Sequence, residues 1–237
     1  MRLLCAFLLF SPSVWASSIP GQLSTTDVEK AARMIGMGGA TKLLRSAEPY
    51  PSWPGLKIGA EVSFFPGNRL LELGDRSGSA TAFQPIPRIF LAKGIAERVE
   101  FIGSFFFSGL NTLSSVGGIL KWTAIPESEE WISLAAFGGY SSVTAFRGEF
   151  SGWAAEFGAV ISKDYVRFRP YIGAAWMFAG GQFDPTLVAS GVSAQTGPLF
   201  GTHVFVGTEW ELPINLTLQA DLTNLDPSIT LFIGKKF

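Results

Sequence analysis

Apolar and polar side chains alternate with a period of two from Gly55 to the last residue, Phe237. A β-strand points successive side chains to opposite faces, so each such run has one apolar face and one polar face. In the first run, Leu56, Ile58, Ala60, Val62 and Phe64 oppose Lys57, Gly59, Glu61 and Ser63. The second, Ile86 to Ile95, is less regular, because Phe90 and Leu91 put bulk on both faces. The third sets Val99, Phe101 and Phe105 against Arg98, Glu100 and Ser104, and the fourth sets Val116, Leu120 and Trp122 against Lys121 and Thr123. The fifth, Ile132 to Ser141, repeats the pattern. Glu156 falls on the polar face of the sixth, Arg167, Arg169 and Tyr171 on that of the seventh, and His203, Glu209 and Glu211 on that of the eighth. The ninth opposes Leu216, Leu218 and Leu222 to Asn215, Gln219 and Asp221. The tenth places Ile229, Leu231, Ile233 and Phe237 on one face, and Ser228, Thr230, Gly234 and Lys236 on the other.

The pattern predicts an all-β chain of about ten strands, with eight or twelve also open. Most runs are roughly 9–13 residues, long enough for a tilted strand to cross a bilayer. With the first strand starting inside, the even-numbered gaps are short and the odd-numbered gaps mostly long. That asymmetry is expected of an up-and-down transmembrane barrel. A soluble barrel would turn its apolar face inward, and periodicity alone does not separate the two.

The terminal Phe237, with apolar residues at alternate positions upstream, resembles the closing strand of bacterial outer-membrane β-barrels. The resemblance implies that Leu231, Ile233 and Phe237 form a signal read by the barrel-assembly machinery. It also implies a cell outer-membrane location, with outer-membrane lipid around the strands. Ala32-Arg33-Met34-Ile35-Gly36-Met37-Gly38-Gly39-Ala40 resembles the N-terminal region of long-chain fatty-acid transporter barrels, where an amino-terminal hatch occupies the lumen.

Composition fits the pattern. Hydrophobic residues make up 47% and charged residues 16%, yet no interior run reaches the length of a membrane-spanning helix. A net charge of −1 gives no reason to expect nucleic acid as a partner. Met1-Arg2 followed by Leu3 to Phe10 reads as a signal peptide, cut after Ala16 with Ser18 as the alternative. That leaves residues 17–54 as a helical segment and linker, and 55–237 as the barrel. The only cysteine, Cys5, lies in the leader, so no disulfide is expected. A short helix should start at Thr26, boxed by Glu29, and stop at Gly36, Gly38 and Gly39. It is expected to lie beneath the periplasmic mouth, because a narrow lumen crowded with charge leaves little room for it.

The polar face supplies the lumen-facing candidates: Lys57, Glu61, Arg98, Glu100, Lys121, Glu156, Arg167, Arg169, Glu209, Glu211 and Asp221, with Lys236. Six bases against six acids suggest pairing across a packed polar core rather than an open pore. Arg167, Arg169 and Tyr171 are the local candidates for an anion site. His203, the single histidine, is too far along its strand from Glu209 for a hydrogen bond, so its partners must come from other strands. No catalytic set, metal site or cofactor motif emerges. The expected function is a monomeric outer-membrane barrel, structural or weakly transporting. A small-solute transporter with an N-terminal hatch is the alternative, and an enzyme using His203 the more remote one.

Overall fold

The computed structural model describes residues 19–49, 55–78, 83–106, 113–126, 132–145, 148–224 and 226–237. The expected leader and most of the linker before Gly55 lie outside the described residues. A helix, α1 (Thr25–Gly39), precedes ten strands. They are β1 (Leu56–Pro66), β2 (Phe83–Ala96), β3 (Val99–Phe106), β4 (Ser114–Ile125), β5 (Ser133–Ala145), β6 (Phe150–Ser162), β7 (Phe168–Phe183), β8 (Gln195–Trp210), β9 (Asn215–Thr223) and β10 (Asp226–Lys236). Each strand pairs antiparallel with its neighbour in sequence, and β10 pairs with β1, so the sheet closes as a barrel. Full closure leaves no unpaired edge.

The alternation predicted from sequence sets the two faces. Along β9 the side chains alternate buried and exposed without a break. Leu216, Leu218 and Leu222 point out, and Asn215, Thr217, Gln219 and Asp221 point in. The same inversion of the soluble rule recurs on the other strands: Phe101, Val116, Leu120, Tyr140, Ile172 and Ile229 are all exposed, while Lys57, Glu61, Lys121 and Glu209 are buried. Outward apolar contacts such as Phe157 with Trp176, and Phe178 with Phe200, give this face an aromatic coat. Such a surface belongs to a barrel set in lipid. Trp210 ends β8 and Trp122 lies near the end of β4, whereas Trp176 is halfway along β7.

The lumen is filled. Toward one rim, Phe90, Ile102, Ile119, Phe137, Phe205 and Phe232 form an interior apolar cluster with Leu43 and Leu44 of the N-terminal segment. The periodic reading of β10 left Phe232 unassigned. It packs inside, its ring 4.9 Å from that of Phe90.

Helix α1 differs from its expected form. Ser24, not Thr26, is the N-cap, and Asp27 rather than Glu29 completes the capping box. The helix also continues through all three glycines to Gly39. Its burial explains why. A Cβ on Gly36 would stand 3.1 Å from the Ala179 Cβ, and one on Gly39 only 2.9 Å from the Val143 Cγ1. The glycines let the helix lie against the barrel wall, and that packing outweighs their poor helix propensity.

Candidate functional site

The ten strands define two rims. At one, the connections span 67–82, 107–113, 146–149, 184–194 and 224–225; at the other they span 97–98, 126–132, 163–167 and 211–214. The N-terminal segment runs between them through the lumen, not beneath a mouth as expected from its sequence. It enters at the long-loop rim. There the Ile19 N–H donates to Glu149 Oε2 at 3.2 Å, and the Gly21 N–H to Asp75 Oδ1 at 3.0 Å. Leu23 exchanges backbone bonds with Leu187 and Ala189 at 2.9 and 3.0 Å. Three separate loops are thereby joined to one short stretch of chain. Asp75 also accepts from Ser77, whose hydroxyl and N–H hold its carboxyl below the usual range.

Below this latch, α1 packs against β5, β6, β7 and β8. Val28, Ala31, Ala32 and Ile35 join Leu70, Ile86, Leu113, Val143, Phe150 and Phe183 in the cluster that seals the long-loop end. The helix ends at Gly39 although good helix formers follow; Ala40 is extended, and a stretch without regular secondary structure continues through the lumen. The Thr41 N–H donates to Ser141 Oγ at 2.9 Å, and the Ala47 N–H to Ser162 Oγ at 3.0 Å. These two buried N–H groups of the segment are therefore satisfied by the wall, as burial requires.

Charged side chains provide the rest of the anchorage. Lys42 Nζ lies 3.0 Å from Asp221 Oδ2 and 2.5 Å from Ser228 Oγ. Arg45 Nε is 3.2 Å from Glu100 Oε1, whose second oxygen is 2.8 Å from Lys121 Nζ. Lys121 also donates to the carbonyls of Ser46 and Glu48. Arg88 links wall and helix end, giving one nitrogen to Glu61 Oε1 at 2.8 Å and another to the Gly39 carbonyl at 2.9 Å. Nearer the short-turn rim, Lys57 pairs with Glu209 at 2.7 Å. Each of these pairs is almost wholly shielded from solvent.

His203 stands between Glu156 of β6, 3.3 Å from its Nδ1, and Asp221 of β9, 2.9 Å from its Nε2. Its partners do come from other strands, and neither is Glu209. Tyr171 donates to Gln219, which in turn donates to Asp221.

Of the residues singled out on the polar faces, Lys57, Glu61, Glu100, Lys121, Glu156, Glu209 and Asp221 are buried in the lumen. Arg169 bridges Asp164 at 2.6 Å and Glu211 at 2.9 Å near the short-turn rim, where Lys236 also meets Glu211. Arg98 and Arg167 are corrections: both fall in exposed turns, one residue before β3 and β7 begin. Extending the alternation one step past the strand placed them inside. The proposed anion cluster of Arg167, Arg169 and Tyr171 is accordingly not assembled. Arg88, Lys42 and Arg45 were missed. Arg88 lies between Pro87 and Ile89 on the irregular second run, and the other two belong to a segment with no strand period. Among the described residues no cluster of metal-ligating side chains occurs.

No protein-family profile matches the chain, and no curated protein does. Several solved structures are similar. One is the translocator domain of the autotransporter NalP from Neisseria meningitidis, at 9% identity and a TM-score of 0.40, covering 91% of this chain and 98% of that one. Neisserial surface protein A is 11% identical at a TM-score of 0.31, covering 77% of this chain and 96% of its own. Ail, the attachment invasion locus protein of Yersinia pestis, is 9% identical at 0.31, covering 76% and 94%.

Proposed function

We propose that this is an outer-membrane β-barrel protein whose own N-terminal segment keeps its lumen closed. It is a structural or sparingly transporting barrel, not an open porin. One observation carries the reading: residues 19–49 run from rim to rim inside the barrel, bonded to the wall by Lys42, Arg45 and their own backbone. A lumen filled in this way has no continuous water path. The exposed apolar belt supplies the lipid-facing surface, and the short-turn rim, where Phe237 follows β10, is assigned to the periplasm. The partners of this reading are outer-membrane lipid and the barrel-assembly machinery, and one chain completes the barrel.

The reading assigns no catalytic step. Both His203 nitrogens are engaged by carboxylates, and the residue is only 2% exposed. A base in that position has no route to a substrate.

The segment is a hatch in the physical sense, since it precedes the barrel in sequence and shares no strand with it. Planar-bilayer recording tests this. The full chain should give little or no conductance, and a chain lacking residues 24–46 should give discrete open channels. An open full-length channel, or a deletion that stays closed, would overturn the proposal.

A further inference from the structure

The charges inside the barrel are not balanced by the wall alone. Among the described residues, the buried wall carboxylates are Glu61, Glu100, Glu156, Glu209 and Asp221, and the buried wall bases are Lys57, Arg88 and Lys121, with His203. Five acids against three bases leave two negative charges if His203 is neutral, and one if it is protonated. Lys42 and Arg45, both on the N-terminal segment, supply the compensating cations. The outer layer at the short-turn rim, Arg169 and Lys236 with Asp164 and Glu211, is neutral by itself. The excess therefore resides in the middle of the lumen.

A second observation points the same way. Glu61 Oε2, Glu156 Oε1 and Glu209 Oε2 are shielded from solvent and accept no hydrogen bond among the described residues. Their parent residues are at most 6% exposed. Such acceptors are costly to leave without donors. They also retain capacity for a ligand rich in N–H groups or for a metal cation.

We propose that the wall of this lumen is a binding and conducting site for cations, which the chain's own ammonium and guanidinium groups occupy in the closed state. The site rests on the closed-barrel reading above. Asp221 and Glu100 are its two main subsites. Asp221, flanked by Ser228, receives the ammonium of Lys42. Glu100 receives the guanidinium of Arg45 on one oxygen and the ammonium of Lys121 on the other. The ligand class is small monovalent cations, inorganic or alkylammonium and guanidinium. Anions meet a surplus of carboxylates in a medium of low dielectric, where repulsion is strong.

Two experiments distinguish failure of this inference from failure of the closed-barrel reading. In bilayers under a KCl gradient, the chain lacking residues 24–46 should show a reversal potential on the cation side. Adding Glu100→Gln and Asp221→Asn should move it toward zero. Conductance with anion preference, or with none, overturns the site while leaving the hatch intact. The second experiment keeps the full chain and needs no open channel. Lys42→Ala with Arg45→Ala removes the segment's cation from both subsites, Lys121 staying on Glu100, and the unfolding midpoint of the refolded protein is followed with methylguanidinium, ethylammonium, potassium or N-methylglucamine chloride at equal ionic strength. The first two should raise the midpoint of the variant more than that of the wild type. A rise with potassium too would assign the site to any small cation. Equal shifts in variant and wild type for every salt overturn the site.

Discussion

Lys42 and Asp221 meet at 3.0 Å in the centre of the barrel, the first from the segment that precedes the sheet and the second from its penultimate strand. Both side chains are almost fully buried, and Asp221 is held on its other flank by His203 and Gln219. Removing one partner of a buried pair leaves an uncompensated charge, at a cost of about 3–5 kcal/mol. Lys42→Ala should therefore destabilise the refolded barrel by roughly that amount in urea titrations. Lys42→Ala combined with Asp221→Asn should cost less than the two single changes summed. Strict additivity would show that the two side chains do not interact.

Leu218 tests which face meets lipid. It points outward near the middle of β9, opposite Leu231 of β10. Leu218→Arg should cost about 2–4 kcal/mol in reversible unfolding from bilayers, the range for a midplane cation on a barrel. The alternation alone puts Gln219 on the polar face, where Gln219→Arg is expected to cost much less. The structure reverses that expectation. Gln219 is wholly buried and bonded to both Tyr171 and Asp221, so a longer side chain has no room. Gln219→Arg should be damaging as well, and equally so in detergent and in lipid, whereas the Leu218→Arg penalty should depend on the bilayer.

Phe237 closes the barrel with backbone bonds. Its N–H donates to the Leu56 carbonyl at 2.8 Å, and its carbonyl accepts from the Leu56 N–H at 3.3 Å. Its side chain is exposed and contributes no core contact. Phe237→Asp should consequently lower outer-membrane levels in cells while barely moving the unfolding midpoint of purified, refolded protein. Equal cellular levels of the two forms would remove any part for this side chain in assembly.

Glu29 reports orientation. It is exposed on α1 near the long-loop rim, whereas Glu97 is exposed in the turn between β2 and β3 at the opposite rim. The mature chain is expected to hold no cysteine, so each can be replaced by one. Glu29→Cys should react with an impermeant maleimide on intact cells, and Glu97→Cys only after the outer membrane is opened. The reverse pattern would invert the barrel.

The architecture was legible from sequence because lipid on one side and a polar filling on the other enforce a strict period of two. A one-residue slip would expose charge to hydrocarbon. Leu216 to Leu222 and Ile229 to Leu231 state that rule without ambiguity. The strand ends were less legible: at Arg98 and Arg167 the chain turns, and a turn has no period to follow. The filling was least legible. Lys42 and Arg45 are interior only because wall residues distant in sequence, Asp221 and Glu100, wait for them. The apolar side chains that fill the lumen, such as Phe90 and Phe232, break the polar face for the same reason. A plugged lumen is a core, and cores take large side chains wherever space allows.

The path of residues 19–49 from rim to rim constrains the order of assembly. To plug a barrel already closed, the amino end would have to be drawn from the short-turn rim through a throat lined by carboxylates and bulky side chains such as Phe90, Phe137 and Phe205. Winding the wall around the segment, with β10 meeting β1 as the last step, avoids that passage, like a stave barrel raised about its own spindle. The plug then acts as a mandrel. Strand number sets the diameter, while the plug's cations quench the wall carboxylates before these are carried into the membrane. A barrel made without it faces the same closure with bare acids in its throat, so its yield in assembly should fall before its final stability does.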